Sequence, residues 1–151
     1  MTFIVDTNVA IVANEEPTEQ RPLDCIDACI RNLEAIMRSG RIAMDDEDLI
    51  LEEYYPYTQW HGELGTGHEF FKFVIDNLWN PERCDRVPLA PYPNHPELDA
   101  FDLSDRKFVQ VSLGHPERPP ILNATDSDWQ HVEEALTAHG VTIHFLCRAS
   151  T

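Results

Sequence analysis

The residues most able to do chemistry in this chain are acids that follow apolar runs. Phe3-Ile4-Val5 ends in Asp6, with Thr7 and Asn8 directly behind it. Ile121-Leu122-Asn123-Ala124 ends in the turn Thr125-Asp126-Ser127-Asp128. Between them, Ile50-Leu51-Glu52-Glu53 places acids on an amphipathic segment, and Asp105 opens another. Taken singly, an Asp after a strand is better explained as a helix cap or a turn residue. Carboxylates brought to one place repel one another unless a hard cation neutralises them, and such a cation prefers carboxylate oxygens. The chemistry at stake is therefore divalent-metal binding, and it depends on whether the fold gathers these acids.

The elements that must position them are legible as alternating patterns. Residues 3–5 form a short buried strand, and 9–13 a short helix beyond the polar turn. Apolar residues recur at helical spacing over 23–39, where Gly40 stops the helix. Residues 41–44 form a second strand, and a helix from about 47 to 54 or 55 is broken by Pro56. Residues 68–79 are helical again, 87–89 form a short strand, and the prolines at 88, 91, 93 and 96 make a loop. A helix over 102–113 takes Ser104 as its cap. Residues 121–124 are a buried strand, 129–139 an amphipathic helix ended by Gly140, and 141–146 a final strand. Strands alternating with helices predict an α/β fold, three layers α/β/α around a central parallel sheet, in a single domain over 1–151. Right-handed crossovers open all strand C-termini on one rim, where ligands bind. The acids fall on that rim.

At this point the chain resembles the PIN-domain family of nucleases, from end to end. Ile4-Val5-Asp6-Thr7-Asn8-Val9 looks like the family's opening strand and first acid, and Ile50-Leu51-Glu52-Glu53-Tyr54 is similar to its second-acid helix. Asp105-Arg106-Lys107-Phe108-Val109 resembles the third-acid helix, and Thr125-Asp126-Ser127-Asp128 the turn with the last acids. The resemblance implies a metal-dependent endonuclease that hydrolyses phosphodiester bonds, with single-stranded RNA favoured over DNA. It implies that Asp6, Glu53, Asp105 and Asp126 hold Mg2+ or Mn2+, with Glu52 as the alternative to Glu53 by one residue of register. Asp128 is implied as an extra ligand or a group behind the ligands. Thr7 and Asn8 would orient Asp6 or meet substrate, and Arg106 would meet substrate. A homodimer and an inhibitory protein partner are compatible with the same likeness.

Composition bounds these expectations. A net charge of −16, from 27 acidic and 11 basic side chains, repels free nucleic acid. Arg41, Arg106, Lys107 and Arg118 are the candidates for a local approach path. The N-terminus has no basic stretch before an apolar run, and no segment reaches the roughly 20 apolar residues of a membrane span, so a cytoplasmic location is expected. Cys25, Cys29, Cys84 and Cys147 read as buried thiols of a reducing compartment. Cys25 and Cys29 stand four apart, and Cys84 and His68 are candidates to complete a zinc site, but the paired spacing is missing. His115 and His131 read as surface or core histidines, and Trp60 and Trp79 as packing residues. A phosphatase using Asp6 as nucleophile would want a second Asp where Asn8 stands. The glycines at 62, 65 and 67 lack a phosphate-loop ending, and no Gly-x-Gly-x-x-Gly follows the first strand. The rival from another class is a catalytically silent protein-binding module of the same fold.

Overall fold

The structure is a computed structural model, which describes residues 1–58 and 65–147. The expectations at Trp60 and Gly62 lie outside the described residues. Five described strands, β1 (Thr2–Val5), β2 (Arg41–Asp45), β3 (Cys84–Val87), β4 (Ile121–Asn123) and β5 (Ile143–Phe145), form one sheet in the order β3-β2-β1-β4-β5. Every pairing is parallel. The described helices are α1 (Thr7–Ala13), α2 (Leu23–Ser39), α3 (Leu49–Thr58), α4 (Thr66–Asn77), α5 (Arg106–Gly114) and α6 (Ser127–Ala138). Helices α1, α2 and α4 pack on one another across one face of the sheet. On the other face, α5 lies against β1, β2 and β4, and Trp129 of α6 buries its ring against Phe101 and Phe108. The fold is thus three-layer α/β/α with a central parallel sheet. Among the described residues, no helix is long and apolar enough to cross a membrane.

Parallel strands need both faces covered, which is why β1, β2 and β4 are almost continuously apolar and buried. The edge strand β3 obeys a different rule. Its Asp85 and Arg86 are polar because an edge is better guarded by charge than left apolar. Asp85 takes Arg41 on one oxygen and the His115 ring at 2.9 Å on the other, and Arg86 pairs with Asp48 at 2.7 Å. The strand expected at 87–89 consequently lies at 84–87. Arg86 also covers the Trp79 ring at 4.2 Å, and Trp79 is 77% exposed, so it is not the packing residue its type suggested. His115 is buried on Asp85, and His131 is exposed.

Three further expectations are corrected. Pro56 sits inside α3 instead of breaking it. Only one backbone bond is lost so close to the helix end, and burial of Ile50 and Tyr54 holds the segment. Ser104 does not cap the helix over 102–113. Asp102 caps a single 3-10 turn (Leu103–Asp105) by accepting from the Ser104 backbone, and α5 follows from there. The cysteines are not all thiols: Cys25 and Cys147 form a disulfide, while Cys29 and Cys84 are free and buried. The sequence separation of 122 left no local sign of that pairing.

One glycine fixes how two helices meet. A Cβ on Gly67 would stand 1.9 Å from the Ala10 carbonyl oxygen, so α4 approaches α1 backbone to backbone. Asn14 reinforces the contact by accepting the Gly67 N–H at 3.0 Å. Gly67→Ala is expected to lower stability by about 1–3 kcal/mol, because rigid backbone must retreat. Urea melts of the two chains would check this, and unchanged midpoints would refute the close packing.

Candidate functional site

In the strand order β3-β2-β1-β4-β5 the chain winds outward from β1 through β2 to β3, then returns to build β4 and β5 on the other side. The direction reverses between β1 and β4, and α/β sheets leave a crevice at the carboxyl ends of such a pair. Register places the ends level, with Val5 beside Leu122. Asp6 follows β1 and Asp126 stands just beyond β4, so both flank that crevice. Asn8 spans it by accepting the Ala124 N–H at 3.1 Å. A hollow of about 330 Å³ opens here, with Asn8, Arg21, Asp126 and Ser127 in its wall.

Asp6 caps α1, one carboxylate oxygen accepting the Asn8 N–H at 3.0 Å. The other oxygen is buried with no hydrogen-bond partner among the described residues. Burial pushes the Asp6 carboxyl up to about 7, against the pull of the Asn8 N–H, with Asp105, Glu53 and Asp126 adding repulsion. A buried unpaired carboxylate oxygen is costly, and charged neighbours make it more so.

Tyr54 explains why Glu53 reaches this place. Its buried hydroxyl donates to the Val5 carbonyl, pinning α3 against the end of β1. Glu53, one residue back, accepts from the Thr7 hydroxyl on one oxygen and from Lys107 at 2.7 Å on the other. Glu52 is exposed. Asp105 is the residue before α5 and makes no capping hydrogen bond with its side chain. Its carboxyl is raised to about 6 by partial burial, then by Asp102, Asp126 and Glu53, with Lys107 opposing. Asp126 caps α6 by accepting the Asp128 N–H at 2.9 Å, while Asn123 accepts the Asp126 N–H at 3.0 Å.

Asp6 and Asp105 therefore each feel the charges of Glu53 and Asp126, which places the four acids in one neighbourhood. Asp128 is exposed and turned away into a separate cleft that it shares with Phe101, Asp102 and His131. Thr7 is spent on Glu53 and Asn8 on Ala124. Arg106 donates to the Phe101 and Asp99 carbonyls and covers the Tyr92 ring at 4.4 Å, which holds the loop before α5. Arg41 begins β2, and Arg118 precedes β4, so both stand at the far end of a parallel sheet. The expected approach path of Arg41, Arg106, Lys107 and Arg118 does not assemble.

Two residues at the rim take roles that the sequence did not assign to them. Lys107, the second residue of α5 and two positions after Asp105, supplies the cation that Glu53 contacts; an Arg-Lys pair usually marks a solvated face. Asp45 at the end of β2 is fully buried, but both its oxygens accept N–H groups, from Leu49 at 2.7 Å and Ile50 at 2.9 Å. It is a cap for α3. Replacing Lys107 by Met is expected to push the Asp105 carboxyl above its value of about 6. Carbon-detected carboxyl titration of metal-free protein would read this, and an unmoved Asp105 would refute the coupling.

The donor set suits a hard divalent ion, with carboxylates only and one buried oxygen unpartnered. The spacing restricts how such an ion would be held. Among the described residues, no three carboxylates bring oxygens within 4.8 Å of one another. Mg2+ keeps several waters and takes one or two protein carboxylates, so these acids fit a hydrated ion better than a closed protein cage. No protein-family model, curated protein or solved structure matches this chain.

Proposed function

We propose that this chain is a PIN-type, metal-dependent endonuclease that hydrolyses phosphodiester bonds in single-stranded RNA. The observation that carries the proposal is the unpartnered Asp6 oxygen at the topological switch point, with the charges of Asp105, Glu53 and Asp126 acting on it. A bound Mg2+ or Mn2+ would supply charge against the phosphate and activate water. Asp6 and Asp126 would hold the ion from the two sides of the crevice, and Glu53 and Asp105 would orient its waters. Thr7 fixes the Glu53 carboxylate, and Tyr54 fixes the helix that carries it.

Single-stranded RNA is the substrate class favoured, since a shallow rim admits an exposed backbone most easily. Arg21, in the wall of the hollow beside Asp126, is the cation best placed to meet a phosphate, although Glu15 holds it at 2.9 Å. A cytoplasmic location belongs to the same proposal, and the Cys25–Cys147 disulfide weighs against it. The homodimer and the inhibitory protein partner belong to it on resemblance alone.

A second reading has an observation of its own. Lys107 already neutralises Glu53, and the acids are not drawn into a coordination shell. Both facts favour a fold kept for protein binding with no turnover. End-labelled single-stranded RNA, incubated with the folded chain and Mg2+ or Mn2+, separates the two. Internal cuts abolished by chelator support the nuclease; intact RNA at every metal concentration favours the silent module.

A further inference from the structure

The three sulfurs of Cys25, Cys29 and Cys147 lie within 4.8 Å of one another, the one such group of His, Cys, Asp or Glu among the described residues. Cys25 and Cys29 sit one turn apart on α2, both buried, and Cys147 comes two residues after β5. Cys25 and Cys147 are joined, and the Cys29 sulfur lies 3.9 Å from that of Cys147. A disulfide needs two of these residues and leaves the third unexplained. The simplest use of a third thiol beside a disulfide is exchange, but a nucleophile must be a thiolate. Burial pushes the Cys29 thiol up to about 12, so at neutral pH it stays protonated and is a poor attacker.

Metal binding places a different demand on the same geometry, because a coordinating thiol loses its proton to the ion outright. Zinc–sulfur bonds of about 2.3 Å set neighbouring sulfurs roughly 3.8 Å apart in a tetrahedron. The Cys29–Cys147 separation already matches that edge. We propose that, with the disulfide reduced, Cys25, Cys29 and Cys147 form a three-thiolate site for a thiophilic divalent cation of the zinc class. Cys147 is only partly buried, which gives an ion access from solvent, and water would complete a four-coordinate shell. Three thiols release three protons on binding, and three thiolates with a divalent ion leave one negative charge. Arg21 is the cation acting on Cys29. Cys84 and His68 are not members of the group.

The site uses none of the rim acids as ligands, and its test does not depend on nuclease activity. The protein is first reduced by a phosphine, which with one water turns the disulfide into two thiols and itself into the phosphine oxide. Zinc(II) is then titrated in competition with a chromophoric chelator, with cadmium(II) read in parallel by its thiolate charge-transfer absorption. The expected result is one equivalent that outcompetes the chelator per reduced chain and none that does so in the oxidised chain, where only carboxylates remain to bind. Cys147→Ser, which alters the outermost of the three positions, should weaken binding at least about tenfold. Cys29→Ser should do the same where circular dichroism shows the fold intact, whereas Asp6→Asn should bind as wild type. A reduced chain that takes no ion, or a Cys147→Ser chain that binds as tightly as wild type, overturns the proposal.

Discussion

In metal-free buffer at pH 8, Asp6→Asn is expected to be more stable than the wild-type chain, with the difference vanishing near pH 4. The folded Asp6 carboxyl holds its proton up to about 7, against 3.8 for the free side chain. The folded state thus binds a proton that the unfolded state has already lost between those values. Stability linked to Asp6 is complete below pH 4, declines as pH rises, and is fully lost above 7. The shift corresponds to roughly 4 kcal/mol at its upper limit. The amide retains the cap on Asn8 but brings a buried N–H2 in need of a partner, so a net gain of about 1–3 kcal/mol is expected. Urea melts at pH 4 and pH 8 with chelator present would show it. Equal stabilities at pH 8 would mean that Asp6 is solvated or already paired.

Glu53→Gln is expected to lower kcat/KM on single-stranded RNA by roughly 10²–10³-fold, a loss typical of removing one positioned electrostatic group. The amide can still accept from Thr7, so the fold should survive. Its charge is gone, however, and Lys107 faces a neutral group. Glu52→Gln is the informative control. It lies one residue away on the same helix but is exposed, and its rate should stay within about twofold of wild type, as for a surface change. Equal losses in the two variants would show that overall charge, and not position, governs the rate.

Much of this arrangement was legible because it rests on periodicity. The buried strands β1, β2 and β4 read as short apolar runs, and α2, α4 and α6 as apolar residues recurring at helical spacing. The rim acids were legible for a related reason: in a parallel sheet, whatever follows a strand arrives at the same edge. The register of α3 was not. Ile50-Leu51-Glu52-Glu53 allows either acid, and it is the Tyr54 hydroxyl on the Val5 carbonyl that turns Glu53 inward. Strand β3 was misplaced because Asp85 and Arg86 obey the needs of an edge, where the apolar signal fails. Lys107 and Cys147 owe their surroundings to contacts with Glu53 and Cys25, far off in the chain. Local pattern carries no trace of such partners. Asp128 shows the converse. It shares the turn of Asp126, yet two residues past the cap it faces another cleft.

On the proposed function, Asp6 and Asp126, on opposite sides of the switch point, hold a divalent ion. Calorimetric titration of Mn2+ into the wild-type chain and into the Asp6→Asn, Asp126→Asn double variant tests it most directly. Saturable binding by the wild type and none by the variant, with both chains folded, is the expected result. Absence of binding by the wild type, or equal binding by the two, would contradict it.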